Sequence, residues 1–111
     1  MNYSYAEYAL LFKALSDETR LRILNMLSGN ELCACSILEE VNITQPTLSY
    51  HMKILSECGL VNARKDGSWM KYTLQNNRIL NLNEFLLEVN EVKENSFKNV
   101  ERCNSTDNLD K

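Results

Sequence analysis

One histidine, one proline and three glycines among 111 residues leave little material for several common site chemistries. His51 has no partnered nucleophile pattern, no glycine-rich loop exists to cradle a phosphate, and the carboxylates are scattered over polar faces. These absences argue against an enzyme. No apolar run approaches the roughly 20 residues needed to span a membrane. Met1-Asn2-Tyr3-Ser4-Tyr5 has neither the basic start nor the apolar stretch of a secretory signal. The expected compartment is therefore the cytoplasm, where thiols stay reduced and usually serve metal binding or redox chemistry. Internal repeats and long linkers are also missing. The length suits one domain, expected over residues 1–102, with 103–111 a polar, disordered tail.

What is present is an ordinary globular composition, 44% apolar and 24% charged, which can build a core without disulfides. The net charge of −3 is unevenly spread. Residues 1–43 carry three basic and six acidic side chains, and residues 75–111 carry five and seven. Residues 44–74 carry Lys53, Arg64, Lys65 and Lys71 against Glu57 and Asp66, a balance of +2. A local basic surface is what phosphate contact requires. The acidic remainder argues against non-specific coating of nucleic acid and leaves room for a site-specific reader.

Helical spacing of apolar residues runs over Ala6–Leu15, with Ala9, Leu10, Phe12 and Leu15 among them. Ser16-Asp17-Glu18-Thr19 supplies an N-cap for a second helix burying Leu21, Ile23, Leu24 and Leu27. Ser28-Gly29-Asn30 stops it, and a short third helix over Ala34–Val41 presents Ile37, Leu38 and Val41 inward. Asn42-Ile43-Thr44 reads as a tight turn. Gln45-Pro46 opens a fourth helix, because a first-turn proline gives up an N–H that has no helical partner. That helix runs to Glu57, and Cys58-Gly59 ends it. Leu60–Arg64 and Trp69–Leu74 flank Lys65-Asp66-Gly67-Ser68, a hairpin signal. A last helix carries the stripe Leu82, Phe85, Leu86, Val89 and Val92.

Two short helices joined by a tight turn and followed by a hairpin give a mainly α (α+β) winged helix-turn-helix, with about five helices and a two-stranded wing. On the fourth helix Leu48, Met52 and Leu55 share the inner face. Gln45, Pro46, Thr47, Ser49, Tyr50 and Lys53 occupy the leading end and outer face, where a recognition helix reaches base edges. Gln45 suits an adenine edge, and Thr47 and Ser49 suit bases or phosphates. Arg64, Lys65 and Lys71 would add phosphate contacts from the wing, although lysine on an edge strand also serves simply to blunt aggregation. His51, at the flank of the apolar face, suits packing or a phosphate contact better than metal ligation.

Cys33-Ala34-Cys35 is the one arrangement that suggests chemistry of its own. On an ideal helix the two thiols point about 200° apart, so they converge only if the backbone is extended or the helix start is unwound. Capture of a soft, thiophilic ion by both would then distort the start of the third helix. A nearby helix N-terminus favours the thiolate form. Two cysteines at this spacing are not a structural zinc signature, which needs four ligands. Cys58, at a helix end, suits packing, and Cys103 lies in the tail.

Over roughly residues 8–75 the chain resembles the ArsR family of winged-helix metalloregulators. The resemblance is carried by Leu15-Ser16-Asp17-Glu18-Thr19-Arg20-Leu21-Arg22-Ile23-Leu24, Glu31-Leu32-Cys33-Ala34-Cys35, Gln45-Pro46-Thr47-Leu48-Ser49-Tyr50-His51-Met52 and Gly59-Leu60-Val61. It implies a homodimer, held by the first and last helices, that represses an operon on double-stranded operator DNA until a metal or metalloid binds. In the arsenic-responsive branch the paired cysteines bind trivalent arsenic or antimony, a role that carries over to Cys33 and Cys35. That branch often has Asp where this chain has Ser36, and some members have a third cysteine where this chain has Leu38. A third ligand would then come from Cys103, Cys58 or a small external thiol, or be missing. Zinc-sensing members use Asp and His on the last helix, and residues 79–97 contain neither. Cadmium- and lead-sensing members need further N-terminal cysteines, and residues 1–32 contain none. No catalytic cofactor and no membrane partner are expected. Two alternatives stand beside this reading: a repressor whose thiols are oxidised rather than metallated, and a helical interaction module without DNA binding.

Overall fold

The computed structural model describes residues 3–91. Val92, Cys103 and the expected tail lie outside them. The elements are α1 (Tyr5–Leu15), α2 (Glu18–Met26), β1 (Leu32–Cys33), α3 (Ala34–Val41), α4 (Gln45–Glu57), β2 (Val61–Asp66), β3 (Trp69–Leu74) and α5 (Asn76–Asn90). Local chemistry fixes most of the boundaries. The Asp17 carboxylate accepts from the Arg20 N–H at 3.0 Å and opens α2. The Thr44 hydroxyl accepts from the Thr47 N–H and opens α4. Asn42, at φ 46°, takes the left-handed conformation that ends α3 and turns the chain into α4. At the other end of α4, the Leu60 N–H donates to the Leu55 carbonyl at 2.9 Å around Gly59, whose φ is +79°. That bond across a left-handed glycine is a Schellman closure.

The wing has one strand more than its sequence suggests. β1 pairs antiparallel with β3, which pairs antiparallel with β2, giving a three-stranded sheet in the order β1-β3-β2. A two-residue strand carries no periodicity to read, so only its partner reveals it. The hairpin is also tighter than expected. Asp66 pairs with Trp69, leaving Gly67-Ser68 as the loop, with Gly67 at φ +65°. Positive φ at the first loop residue alone is the type II′ pattern, so the glycine leads the turn.

The core joins Leu11, Ile23, Leu27 and Ile37 to Leu48, Met52, Leu55, Leu60 and Tyr72. The expected inner face of α4 is therefore correct, as are Ile37 and Val41 on α3. On α1 the inner residues are Leu11 and Ala14, whereas Leu10 is exposed, as is Leu21 on α2. The run Ala9-Leu10-Leu11-Phe12 is apolar on every side, so its spacing does not select a face. Of the α5 stripe, Leu82 is buried and Phe85 stacks on Tyr8 of α1 at 4.5 Å between ring centres. Leu86 and Val89 are exposed.

Candidate functional site

α3 and α4 form the helix-turn-helix, and α4 is held from below by Leu48, Met52 and Leu55. Gln45, Pro46, Thr47, Ser49, Tyr50 and Lys53 are all exposed on its leading end and outer face, as the wheel requires. The Thr47 hydroxyl also accepts a hydrogen bond from Thr44 at 2.9 Å, which orients it beside the helix entrance.

His51 stands apart from this exposed set. It is 8% exposed and faces α2, where the Arg20 guanidinium donates to Nδ1 at 2.9 Å. Asp17 stands 3.9 Å from the same nitrogen, and Arg20 Nε donates to the Ala14 carbonyl at 2.7 Å. With Nδ1 accepting, the ring proton is assigned to Nε2. Burial fits the packed one of the two roles expected for His51 and makes it a tie between α4 and α2. The backbone N–H of Arg20, donated to its carboxylate, holds Asp17 below the ordinary value. Sequence reading missed this tie because Arg20 lies 31 residues away.

Two of the three wing cations are already paired. Arg64 donates Nε and a second guanidinium nitrogen to the two Glu31 carboxylate oxygens, at 2.7 and 2.9 Å. Lys71 lies 3.0 Å from Asp66. Hydrogen bonding to these cations holds both Glu31 and Asp66 below their ordinary carboxylate values. Lys65 is exposed and makes no ion pair among the described residues. Arg64 and Lys71 are therefore braced within the sheet by carboxylate partners.

The thiol pair converges, and the helix start stays intact. Cys33 is the extended N-cap of α3 (φ −78°, ψ 150°) and the last residue of β1, whereas Cys35 lies one residue inside the helix beyond Ala34. The two form a disulfide across a Cα separation of 5.3 Å, and the Cys35 N–H donates to Cys33 Sγ at 3.2 Å. The opposed directions expected on a helix do not apply, because the sheet holds Cys33 out of the helix. Bringing the two sulfurs together therefore requires no unwinding of α3. Two sulfurs brought together at a helix N-terminus suit a soft, thiophilic ligand. Cys58 is not a third ligand here. Among the described residues no group of three Cys, His, Asp or Glu side chains is placed to hold a metal. The Cys58 thiol points at the Leu55 carbonyl, 3.6 Å away, and burial pushes its pKa up.

Residues 17–63 match the family model described as bacterial regulatory protein, arsR family, a span that covers β1, the thiol pair and the whole helix-turn-helix. The chain is 52% identical over 71 residues to the arsenical resistance operon repressor of Staphylococcus aureus, covering 64% of this chain and 68% of the relative. The chain belongs to the arsR family. A second relative, the arsenical resistance operon repressor of Staphylococcus xylosus, is 45% identical over 87 residues, covering 78% of this chain and 84% of its own length. Among solved structures, HlyU from Vibrio cholerae superposes with a TM-score of 0.67 at 35% identity, over 80% of this chain and 97% of that one. ArsR-family proteins are transcriptional regulators rather than enzymes, and this chain is a DNA-binding repressor of that family with a winged helix-turn-helix. No helix among the described residues is long and apolar enough to cross a membrane.

Proposed function

We propose that this ArsR-family repressor controls a metalloid-resistance operon and leaves its operator when trivalent arsenic or antimony is captured by Cys33 and Cys35. The observation that carries the reading is the convergence of the two sulfurs at the N-cap of α3, directly ahead of the recognition helix. Two relatives named arsenical resistance operon repressor support the choice of effector. Capture of arsenous acid is a balanced ligand exchange. It starts from the dithiol, to which an external thiol reductant returns the disulfide by exchange: two As–S bonds form, two As–OH bonds break, and each departing hydroxide leaves as water with the proton of one thiol. The third position on arsenic is left to its remaining hydroxide, to an external thiol or to Cys103, which lies outside the described residues.

DNA is read by Gln45, Thr47 and Ser49 at the start of α4. Pro46, Tyr50, Lys53 and Lys65 border the contact, and the helix N-terminus favours a phosphate. The repressor works as a homodimer through α1 and α5. Their packing through Tyr8, Phe12 and Phe85 leaves Tyr5, Leu10, Leu80, Leu86, Leu87 and Val89 exposed on the same helices. Exposed apolar side chains on these two helices suit a self-complementary two-fold interface.

Titration of the operator-bound protein with arsenite, antimonite, cadmium and zinc tests the reading. Release by the first two, lost in Cys33→Ser/Cys35→Ser, is the expected result. Arsenite release that survives the double substitution would sink it. The disulfide itself favours a second trigger, oxidation of the same pair by a peroxide-class oxidant, in which two thiols lose two electrons and two protons. Release by peroxide but not by arsenite would select that trigger instead.

A further inference from the structure

Cys33 belongs to two elements at once. Its backbone ends β1 and caps α3, so any adjustment that seats a ligand on its sulfur falls on both. The two sides are not equally anchored. α3 is fixed in the core by Ala34, Ile37 and Val41, whereas β1 is a two-residue edge strand with a half-buried side chain at each position. Displacement therefore passes more easily into the sheet than into the helix.

The register shows where it goes. Cys33 pairs with Lys71 on β3, and Lys71 pairs with Arg64 on β2. Residues directly opposite in antiparallel strands project on one face, so a thiol and two cations share a single row. Glu31, two residues before Cys33, projects on that face as well and reaches past β3 to grip Arg64 through both carboxylate oxygens. The residue that leads into β1 is thus tied to β2, on the far side of β3, by a bidentate pair. A planar fork-to-fork contact of this kind fixes orientation as well as distance.

We propose that the Glu31–Arg64 pair is the element that couples the thiol site to the wing: it locks the cysteine-bearing strand to β2, and ligand capture by Cys33 and Cys35 weakens DNA binding by shifting the wing through this tie. Arg64 is accordingly a positioning residue, not a phosphate contact. The coupling half of this proposal rests on the effector reading above. The brace does not.

A mutant cycle on operator affinity without arsenite judges the brace. Glu31→Gln and Arg64→Gln should weaken binding by the same factor, about two- to threefold as for an exposed ion pair. The double variant should weaken it no further, and the salt dependence should be unchanged. A direct phosphate contact by Arg64 predicts otherwise: Arg64→Gln alone weakens binding and lowers the salt slope by about one, while Glu31→Gln frees the guanidinium and strengthens binding. That pattern overturns the proposal.

The coupling is read on the lone tryptophan, Trp69, which opens β3 beside the wing tip. Arsenite should change Trp69 emission in the wild type. In Glu31→Gln the near-ultraviolet arsenic–thiolate absorbance should appear at the same arsenite concentration, with the emission change and the fold-loss of operator affinity both reduced at least twofold. Equal losses in the two proteins overturn the coupling. A wild type that binds no arsenite overturns the effector reading and the coupling together, and the arsenite-free cycle still decides the brace.

Discussion

Glu31 looks like surface acid in the sequence and acts as a structural tie in the fold, which makes its protonation consequential. The Arg64 hydrogen bonds hold its carboxyl below the ordinary value of 4.5. A group whose folded pKa is depressed adds stability above its unfolded value and loses that contribution as pH falls through the folded one. Trp69 emission in an acid titration should accordingly report loosening of the wing only below pH 4.5, and Glu31→Gln should remove that transition. His51 invites a different substitution. Its Nδ1 accepts a charge-assisted bond from Arg20 in a nearly closed environment. His51→Ala leaves the guanidinium without that partner and should cost about 2 kcal/mol of unfolding free energy in urea. His51→Asn, which can offer an oxygen near the lost nitrogen, should recover part of it. No loss in the alanine variant would show that the bond contributes nothing.

At the scale of elements, the weight falls on how α4 ends. Gly59 holds φ +79°, and a Cβ there would stand 2.6 Å from Arg78 Nε. Arg78 lies over the Tyr3 ring at 5.2 Å, and the Gln75 N–H donates to the Leu60 carbonyl at 2.9 Å. The end of the recognition helix is thus joined directly to the start of α5. Gly59→Ala should destabilise the fold by about 1–2 kcal/mol from backbone strain. The steric part is smaller, since the Arg78 side chain can swing away. Thermal unfolding measures the total, and a 15N spectrum should show the Tyr3 and Arg78 signals moving together. An unshifted melting temperature would contradict the strain argument.

For the whole molecule, the expected two-fold assembly makes operator affinity depend on α1 and α5, far from any DNA contact. Leu86 and Leu87 are exposed neighbours on α5. Leu86→Glu/Leu87→Glu should leave the monomer folded by circular dichroism yet halve the mass in sedimentation, with operator affinity at least tenfold weaker at a fixed protein concentration. A dimer of unchanged mass would place the interface elsewhere.

The limits of sequence reading follow the range of the interactions. α3 over Ala34–Val41 and α4 over Gln45–Glu57 match their sequence boundaries because caps, a first-turn proline and a terminal glycine act within a few residues. The inner face of α4 was legible for the same reason, since its polar and apolar residues alternate cleanly at helical period. That of α1 was not, because an all-apolar run leaves the choice of face to its neighbours. The ties that matter most to the site span 31 and 33 residues, from Arg20 to His51 and from Glu31 to Arg64, and no local pattern announces them. The sequence by itself determined that two cysteines stand two residues apart at the start of a helix-turn-helix. Only the tertiary structure decided that they meet. β1 gains its hydrogen-bonding partner from β3, some 38 residues further on, and that pairing holds Cys33 extended beside an intact helix.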